Sequence, residues 1–387
     1  MSGDLGQRLQ SVRKRRGLTQ RELAGQSGVS VSFVRKIEQG ERDDARIATL
    51  RKLAVALGCP LTALIGSAPR PPDSRNGENW AETRRALDVM ATGDGRGEPG
   101  GGDGIGELLS GAVRLYHDNE YGQLARVLPG LIAEGGEASP LLRARILQLA
   151  GSVMVQTRQL RSGRIALERA MVEAESTGNP LDAASVVVTL SWLMLVERQF
   201  QQVEDLALGW ADRIEPRLSC GTEREISTWG WLLLRGSAAA IRDNRPDEAD
   251  GMMRLAQAGA IALRREPDAQ RDYWTIFDAA TVAMKRVENA VIDERPDLAL
   301  HLAADVPADL RPTSDNRNRH LLDVAAAHIE LRHYDASLDV LMKLSREARS
   351  WLIEQRLAKD LLTGMIDKRR TLTSDMRELA DLIQLEY

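Results

Sequence analysis

The sequence predicts an all-α protein: a compact five-helix head joined by a flexible linker to an α-solenoid of stacked helical hairpins. Three observations lead there. Only 4% of the residues are aromatic, while Ala, Leu and Arg are abundant, a composition that favours helices over strands. Apolar residues recur at helical spacing through the first 66 positions, punctuated by single glycines. Beyond the linker, long helical segments begin near 105, 139, 180, 221, 268, 313 and 354. A recurrence of about 40 residues is the mark of a helical-hairpin repeat.

Charge is divided unevenly. Residues 1–66 hold twelve Lys and Arg against six Asp and Glu, a net of +6, so the rest carries −10 of the overall −4. A basic head on an acidic body is expected where only the head touches phosphate. The two cysteines, Cys59 and Cys220, lie in different expected domains and read as buried reduced thiols suited to a reducing cytosol. The N-terminus lacks an apolar signal core and no apolar run reaches membrane-spanning length. The expectation is a soluble cytoplasmic protein with no membrane partner.

Within the head, Leu5, Leu9 and Val12 form one helical stripe that Gly17 ends. Thr19 to Glu22 reads TQRE, a capping box opening a second helix that buries Leu23 and Ala24. Gly28 makes the turn, Ser30 caps a third helix from Val31 to Gln39, and Val34 and Ile37 face inward. A fourth helix is expected from Arg46 to Leu57 and a short fifth from Leu61 to Ile65, after Pro60. Two short helices around a glycine turn, beside a basic neighbour, read as a helix-turn-helix.

The stretch GLTQRELAGQSGVSVSFVRKIEQG, Gly17 to Gly40, followed by LRKLAVALGCPLTAL, resembles the XRE family of DNA-binding domains, related to the lambdoid phage repressors and Cro. The resemblance covers residues 5–66 and implies a partner, a double-stranded DNA operator. It places Gln20 where the family contacts a phosphate. The cap Ser30 and the exposed Val31, Ser32, Arg35 and Lys36 would lie at the major groove, where side chains reach base edges. Arg42 and Arg46 flank a loop that lies on the DNA backbone in the family, and Arg13 with Glu38 matches its internal salt bridge. The loop here reads ERDDA, so Asp43 and Asp44 face the expected phosphate path, where they either pair with Arg42 and Arg46 or weaken each head.

Residues 67–104 read as a linker. Ser67–Asn79 is rich in Pro and polar residues, and Gly93–Gly106 is a glycine tract. That tract has neither the preceding strand nor the following Lys-Ser/Thr of a phosphate-binding loop. Between the two stretches, residues 80–90 (WAETRRALDVM) fit one short amphipathic helix.

The remaining span, 105–387, reads as the solenoid. Polar breaks at Arg158–Leu160, Arg198–Phe200, Asn244–Ala249, Glu294–Ala299 and Arg332–Ala336 each separate two helices. Small residues such as Ala170, Ala256, Ala303 and Ala336 allow close helix approach. These stretches resemble degenerate tetratricopeptide repeats, implying about six hairpins in a right-handed solenoid with a concave inner face. Ser374–Leu385 would be a terminal cap.

Val127–Leu131 (VLPGL) and Asn318–His328 (NRHLLDVAAAH) resemble signatures of an actinobacterial family of regulators that pairs an XRE head with such a body. In plan the chain is similar to the peptide-pheromone-responsive regulators, whose groove holds a short signalling peptide. Where many of the actinobacterial relatives have FGPTNV, this chain has FDAATV, Phe277–Val282.

No nucleophile elbow, zinc-protease motif, P-loop or paired cysteine is present, and the five histidines lack metal-ligand spacing. An enzyme, a metal site and a cofactor are therefore not expected. Trp229 and Trp231 diverge by about 200° on one helix, so one of them is expected to enter the groove. Together with Tyr273 and Thr281 they are the candidate ligand contacts. The expected function is a homodimeric transcriptional regulator whose solenoid senses a peptide or small molecule. The alternative is a DNA-tethered scaffold whose solenoid binds another protein.

Overall fold

A computed structural model of the chain describes residues 3–41, 47–59, 64, 80–92, 103–263, 276–306, 314–368 and 372–385. All regular structure among them is helical. The chain divides into two units: Met1–Ser74 together with His333–Tyr387, and Arg75–Arg332.

The head comprises α1 (Gly3–Arg15), α2 (Gln20–Ser27), α3 (Val31–Glu38) and α4 (Ile47–Ala56). Leu9, Leu23, Val34, Ile37, Leu53 and Leu57 form its core. The segment expected as a fifth helix lies outside the described residues except for Leu64, which is helical and fully buried. Two arginines tie the later chain to this small core: Arg8 of α1 donates to the Leu64 carbonyl at 3.0 Å and Arg16, just after α1, to that of Gly58 at 2.8 Å.

The second unit opens with α5 (Ala81–Thr92), preceded by the buried Trp80. Paired helices follow: α6 (Asp103–His117) with α7 (Tyr121–Glu134), and α8 (Pro140–Gln156) with α9 (Leu160–Ser176). Next are α10 (Pro180–Val196) with α11 (Phe200–Arg213), then α12 (Glu223–Arg242) with α13 (Pro246–Ala262). The series continues through α14 (Ala279–Ile292), α15 (Pro296–Ala304) and α16 (Ser314–Glu330). The helix start expected near 268 lies outside the described residues. Each even-numbered helix from α6 to α16 packs on the next even-numbered one, giving a continuous inner row with the odd-numbered helices behind. Residues 81–92 join this arrangement: α5 packs on α7 and α9, and Arg84 donates to Gln159 at 2.7 Å.

One turn geometry recurs. At Asn119, Arg158, Arg198, Asn244, Glu294 and Arg332 the backbone enters the left-handed region, with φ between 55° and 62°. The next N–H then reaches back five residues: Gln159 to the Met154 carbonyl at 2.7 Å, and Gln199 to Met194, Arg245 to Ala240 and Arg295 to Ala290, each at 2.9 Å. This satisfies helix carbonyls that would otherwise be orphaned. Five of the six turns fall where the sequence placed its polar breaks.

Residues 333–387 supply α17 (Tyr334–Glu347), α18 (Arg349–Glu354), α19 (Arg356–Lys368) and α20 (Ser374–Leu382). They belong to the same unit as the head, and α1 packs against α19. Cys59 packs on the head core. Cys220 is exposed, a correction to its expected burial, and neither cysteine is in a disulfide.

The left-handed turns are occupied by residues with a Cβ, at a cost of about 1 kcal/mol or more each relative to glycine. Arg198→Gly and Glu294→Gly, both at exposed positions, should each raise the unfolding midpoint, by about 0.5 kcal/mol after the extra chain entropy of glycine. Differential scanning calorimetry of the full chain checks this, and a lower midpoint would refute it.

Candidate nucleic-acid interface

The α2–α3 pair is set by local chemistry. The Thr19 hydroxyl accepts from the Glu22 N–H at 3.2 Å, and Glu22 accepts from the Thr19 N–H at 2.6 Å, closing the capping box. Those bonds hold the exposed Glu22 carboxyl below the usual carboxylate range. Gly28 ends α2 with φ 65°, a conformation that favours glycine. Ser30 then caps α3, accepting from the Phe33 N–H at 3.2 Å.

Position is fixed by a buried clamp. Arg13 of α1 grips Glu38 of α3 through both carboxylate oxygens, at 2.6 and 2.8 Å. It also donates to the Leu18 carbonyl at 2.8 Å. The two side chains are only 10% and 1% exposed, so neither charge is compensated by water, and loss of one partner would strand the other. Gln20 completes the clamp by donating to Glu38 at 2.8 Å. Its amide is therefore tied to the protein at the position assigned to a phosphate contact.

A second fixing point escaped the sequence reading. A Cβ built on Gly6 would lie 2.2 Å from the Ile37 carbonyl oxygen, so α1 and α3 cross backbone to backbone there. Nothing in the local pattern marks Gly6, because the crossing is defined by a residue 31 positions away.

This scaffold leaves one face of α3 open. Val31, Ser32, Arg35 and Lys36 are all exposed, while Val34 and Ile37 on the opposite face are buried. The cap Ser30 is exposed beside them. The face thus offers a methyl surface, a hydroxyl, a guanidinium and an ammonium in one row, a set suited to base edges and phosphates. Arg42 and Arg46, with Asp43 and Asp44, lie outside the described residues.

A helix-turn-helix family model, HTH_3, matches residues 9–64. The head is a helix-turn-helix domain. It is related to bacterial regulators of the XRE and Cro type. Over 63 residues it is 41% identical to the HTH-type transcriptional regulator RghRB of Bacillus subtilis (strain 168), covering 16% of this chain and 45% of that protein. Identity is also 41% over 63 residues with the HTH-type transcriptional repressor RghR of the same strain, covering 16% and 47%. The immunity repressor protein of Bacillus phage phi105 is 39% identical over 62 residues, covering 16% and 42%. The chain thus spans less than half the length of these curated relatives. All three bear the names of regulators or repressors and none that of an enzyme. No solved structure matches the chain.

The expected ligand contacts in the second unit are placed otherwise than the sequence suggested. Trp229 and Trp231 are 6% and 2% exposed, so neither enters an open groove. The reason is that α12 is covered on nearly every side between Ile226 and Ile241. Trp229 lies over Gly259 of α13, and the Trp231 indole N–H donates to the Ile276 carbonyl at 3.3 Å. Thr281 is also fully buried; its N–H is capped by Asp278 at 2.7 Å and its hydroxyl donates to the Ile276 carbonyl at 3.3 Å. Tyr273 lies outside the described residues.

The inner row instead gathers charges that sequence spacing did not connect. Glu288 accepts from Lys285 at 2.8 Å and from Arg242. Burial pushes its carboxyl upward, but Lys285, Arg242 and Arg319 outweigh burial and hold it well below the carboxylate range. Asp315 of α16 lies against the phenols of Tyr116 and Tyr121, and burial raises it to about 7 despite them. Burial likewise raises Asp323 to about 7. His320 is driven down to about 4 by burial beside Lys285 and Arg317, as befits a neutral structural imidazole. Among the described residues no group of three His, Cys, Asp or Glu side chains is placed to hold a metal, and no helix is long and apolar enough to cross a membrane.

Two predictions follow from these contacts. Gly6→Ala should cost about 1–3 kcal/mol by forcing α1 from α3, read as a lower urea midpoint; an unchanged midpoint would refute the close crossing. For Asp315, a raised folded pKa means that its stabilising contribution is complete below the ordinary value and lost as pH rises through about 7. Asp315→Asn should therefore unfold at a higher temperature than the parent at pH 8, by on the order of 2 kcal/mol. The difference should vanish near pH 4.

Proposed function

We propose that the chain is a sequence-specific DNA-binding transcriptional regulator. The observation that carries this reading is the exposed face of α3, bearing Val31, Ser32, Arg35 and Lys36 on a helix clamped to α1. Arg35 and Lys36 supply the donors for guanine edges, Val31 and Ser32 a methyl contact and a single hydrogen bond, and Ser30 and Gln20 sit at the margins where phosphates pass. Arg42 and Arg46 are assigned to the DNA backbone by the sequence resemblance alone. The names of the relatives, regulators and repressors all, support the same role.

The finer reading is a cytoplasmic homodimer. One helix-turn-helix reads few base pairs, and paired half-sites one turn, about 34 Å, apart supply the missing specificity. The repeat-like packing of the second unit supports a tetratricopeptide-like, right-handed solenoid that senses a small molecule or peptide and controls the dimer's hold on DNA.

Selection of random duplexes by the purified full chain tests the proposal and should return a two-fold symmetric motif. Arg35→Ala and Lys36→Ala should each lower affinity for it about 5- to 100-fold, equivalent to about 1–3 kcal/mol per specific contact. Both sites are exposed, so the unfolding midpoint should stay within about 0.5 kcal/mol. Failure to enrich any motif at low salt would overturn the reading.

A further inference from the structure

Arg235 of α12 has an unusual set of partners for an interior arginine. Its Nε donates to the Val188 carbonyl at 3.0 Å, and its guanidinium lies over the Trp231 ring, 5.2 Å from the centroid. Among the described residues no carboxylate lies within salt-bridge distance of it. The acid whose charge acts on it is Glu288, which is already engaged by Arg242 and Lys285. Its side chain keeps a minor accessible fraction. Even so, it lies deep enough for burial to draw its pKa down to about 10, with Arg242 adding to that and Glu288 and Tyr116 opposing it. An arginine this deep is normally paired, because an unpaired interior charge is strongly destabilising.

The surroundings do not supply the missing anion. Residues from distant hairpins converge on this place: Tyr116 from the end of α6, Val188 from α10, Glu288 from α14 and Asp315 from the start of α16. Cations there are Arg235, Arg242, Lys285 and Arg319. Against them stand Glu288, ionised, and Asp315 and Asp323, each raised to about 7 and so partly neutral at physiological pH. Within an acidic chain, this interior is locally short of negative charge.

We propose that the inner row of the second unit contains a carboxylate-binding site, with Arg235 as the anchor, held over the Trp231 ring and by the Val188 carbonyl. The guanidinium fork presents its Nη donors in the plane that a carboxylate matches with two parallel hydrogen bonds. Trp231 and Val188 hold the fork in one orientation, so little entropy is lost when the anion arrives. The site would take a small organic acid or the free C-terminus of a short peptide, which share this chemistry. The inference rests on the sensing role proposed for this unit and names the class of signal it reads.

Thermal unfolding of the full chain without DNA tests it, with four probes: acetate, benzoate, the tripeptide Gly-Gly-Phe and its C-terminal amide. At least one carboxylate should give a saturable rise of about 3 °C at tenfold excess over its dissociation constant. The free-acid peptide alone rising, with its amide silent, assigns a peptide terminus, and benzoate or acetate rising assigns an organic acid. Arg235→Met should abolish the rise. Without ligand, Arg235→Met should leave the midpoint unchanged or raise it, since the change removes an unpaired interior charge. A purely structural arginine would instead lower it. Absence of a saturable rise with every carboxylate, or an undiminished rise in Arg235→Met, would overturn the proposal. Because no DNA is present, either result leaves the DNA-binding reading to its own test.

Discussion

A helical hairpin of about 35 residues has apolar surface on both sides of its two-helix layer and cannot cover it alone. Most of the second unit follows from that constraint. Each hairpin presses its inner helix on the next, and the middle ones, α12 above all, are enclosed by neighbours before, behind and beside. Trp229 and Trp231, about 200° apart on that helix, are both buried for this reason. Enclosure also brings polar groups together. Side chains on the inner row that would be solvated on a lone helix are held among other hairpins' residues, and their titration is altered accordingly.

The head solves a different problem. With so small a core, the orientation of α3 cannot rest on apolar packing alone. It is set by two contacts to α1, the enclosed Arg13–Glu38 pair and the backbone crossing at Gly6. The ion pair contributes orientation more than net stability, since removing two charges from water offsets much of their attraction. Part of the head's positive charge is turned inward in this way. Arg8, Arg13 and Arg16 all bind groups inside the domain, so Arg35 and Lys36 carry the outward-facing basic character of α3. Packing of α1 on α19 joins the same helix to the C-terminal residues.

How much was legible in the sequence depended on the range of the interaction. The Thr19–Glu22 capping box, the Gly28 turn and the Ser30 cap are written within four residues and were read correctly. So was the inward set Leu23, Ala24, Val34 and Ile37, because helical periodicity is local. The hairpin breaks at Arg158, Arg198, Asn244, Glu294 and Arg332 were visible as polar interruptions, although the left-handed conformation they share was not, since of these only asparagine favours it. Gly6 and the two tryptophans were missed or misread because their surroundings come from residues about 30 to 45 positions away.

By itself, the sequence determined the helical class, the helix-turn-helix in the first 66 residues, the order of helices and the exposed face of α3. These depend on caps, turns and a 3.6-residue period, all of which act within one or two helical turns. Only the tertiary structure decided which helices are enclosed, that residues 333–387 share a unit with the head, and that Arg235 meets the Val188 carbonyl and the Trp231 ring instead of a carboxylate partner. Such relations arise when hairpins far apart in the chain are stacked, because burial and charge balance are set by all the neighbours at once and no short window of residues contains them.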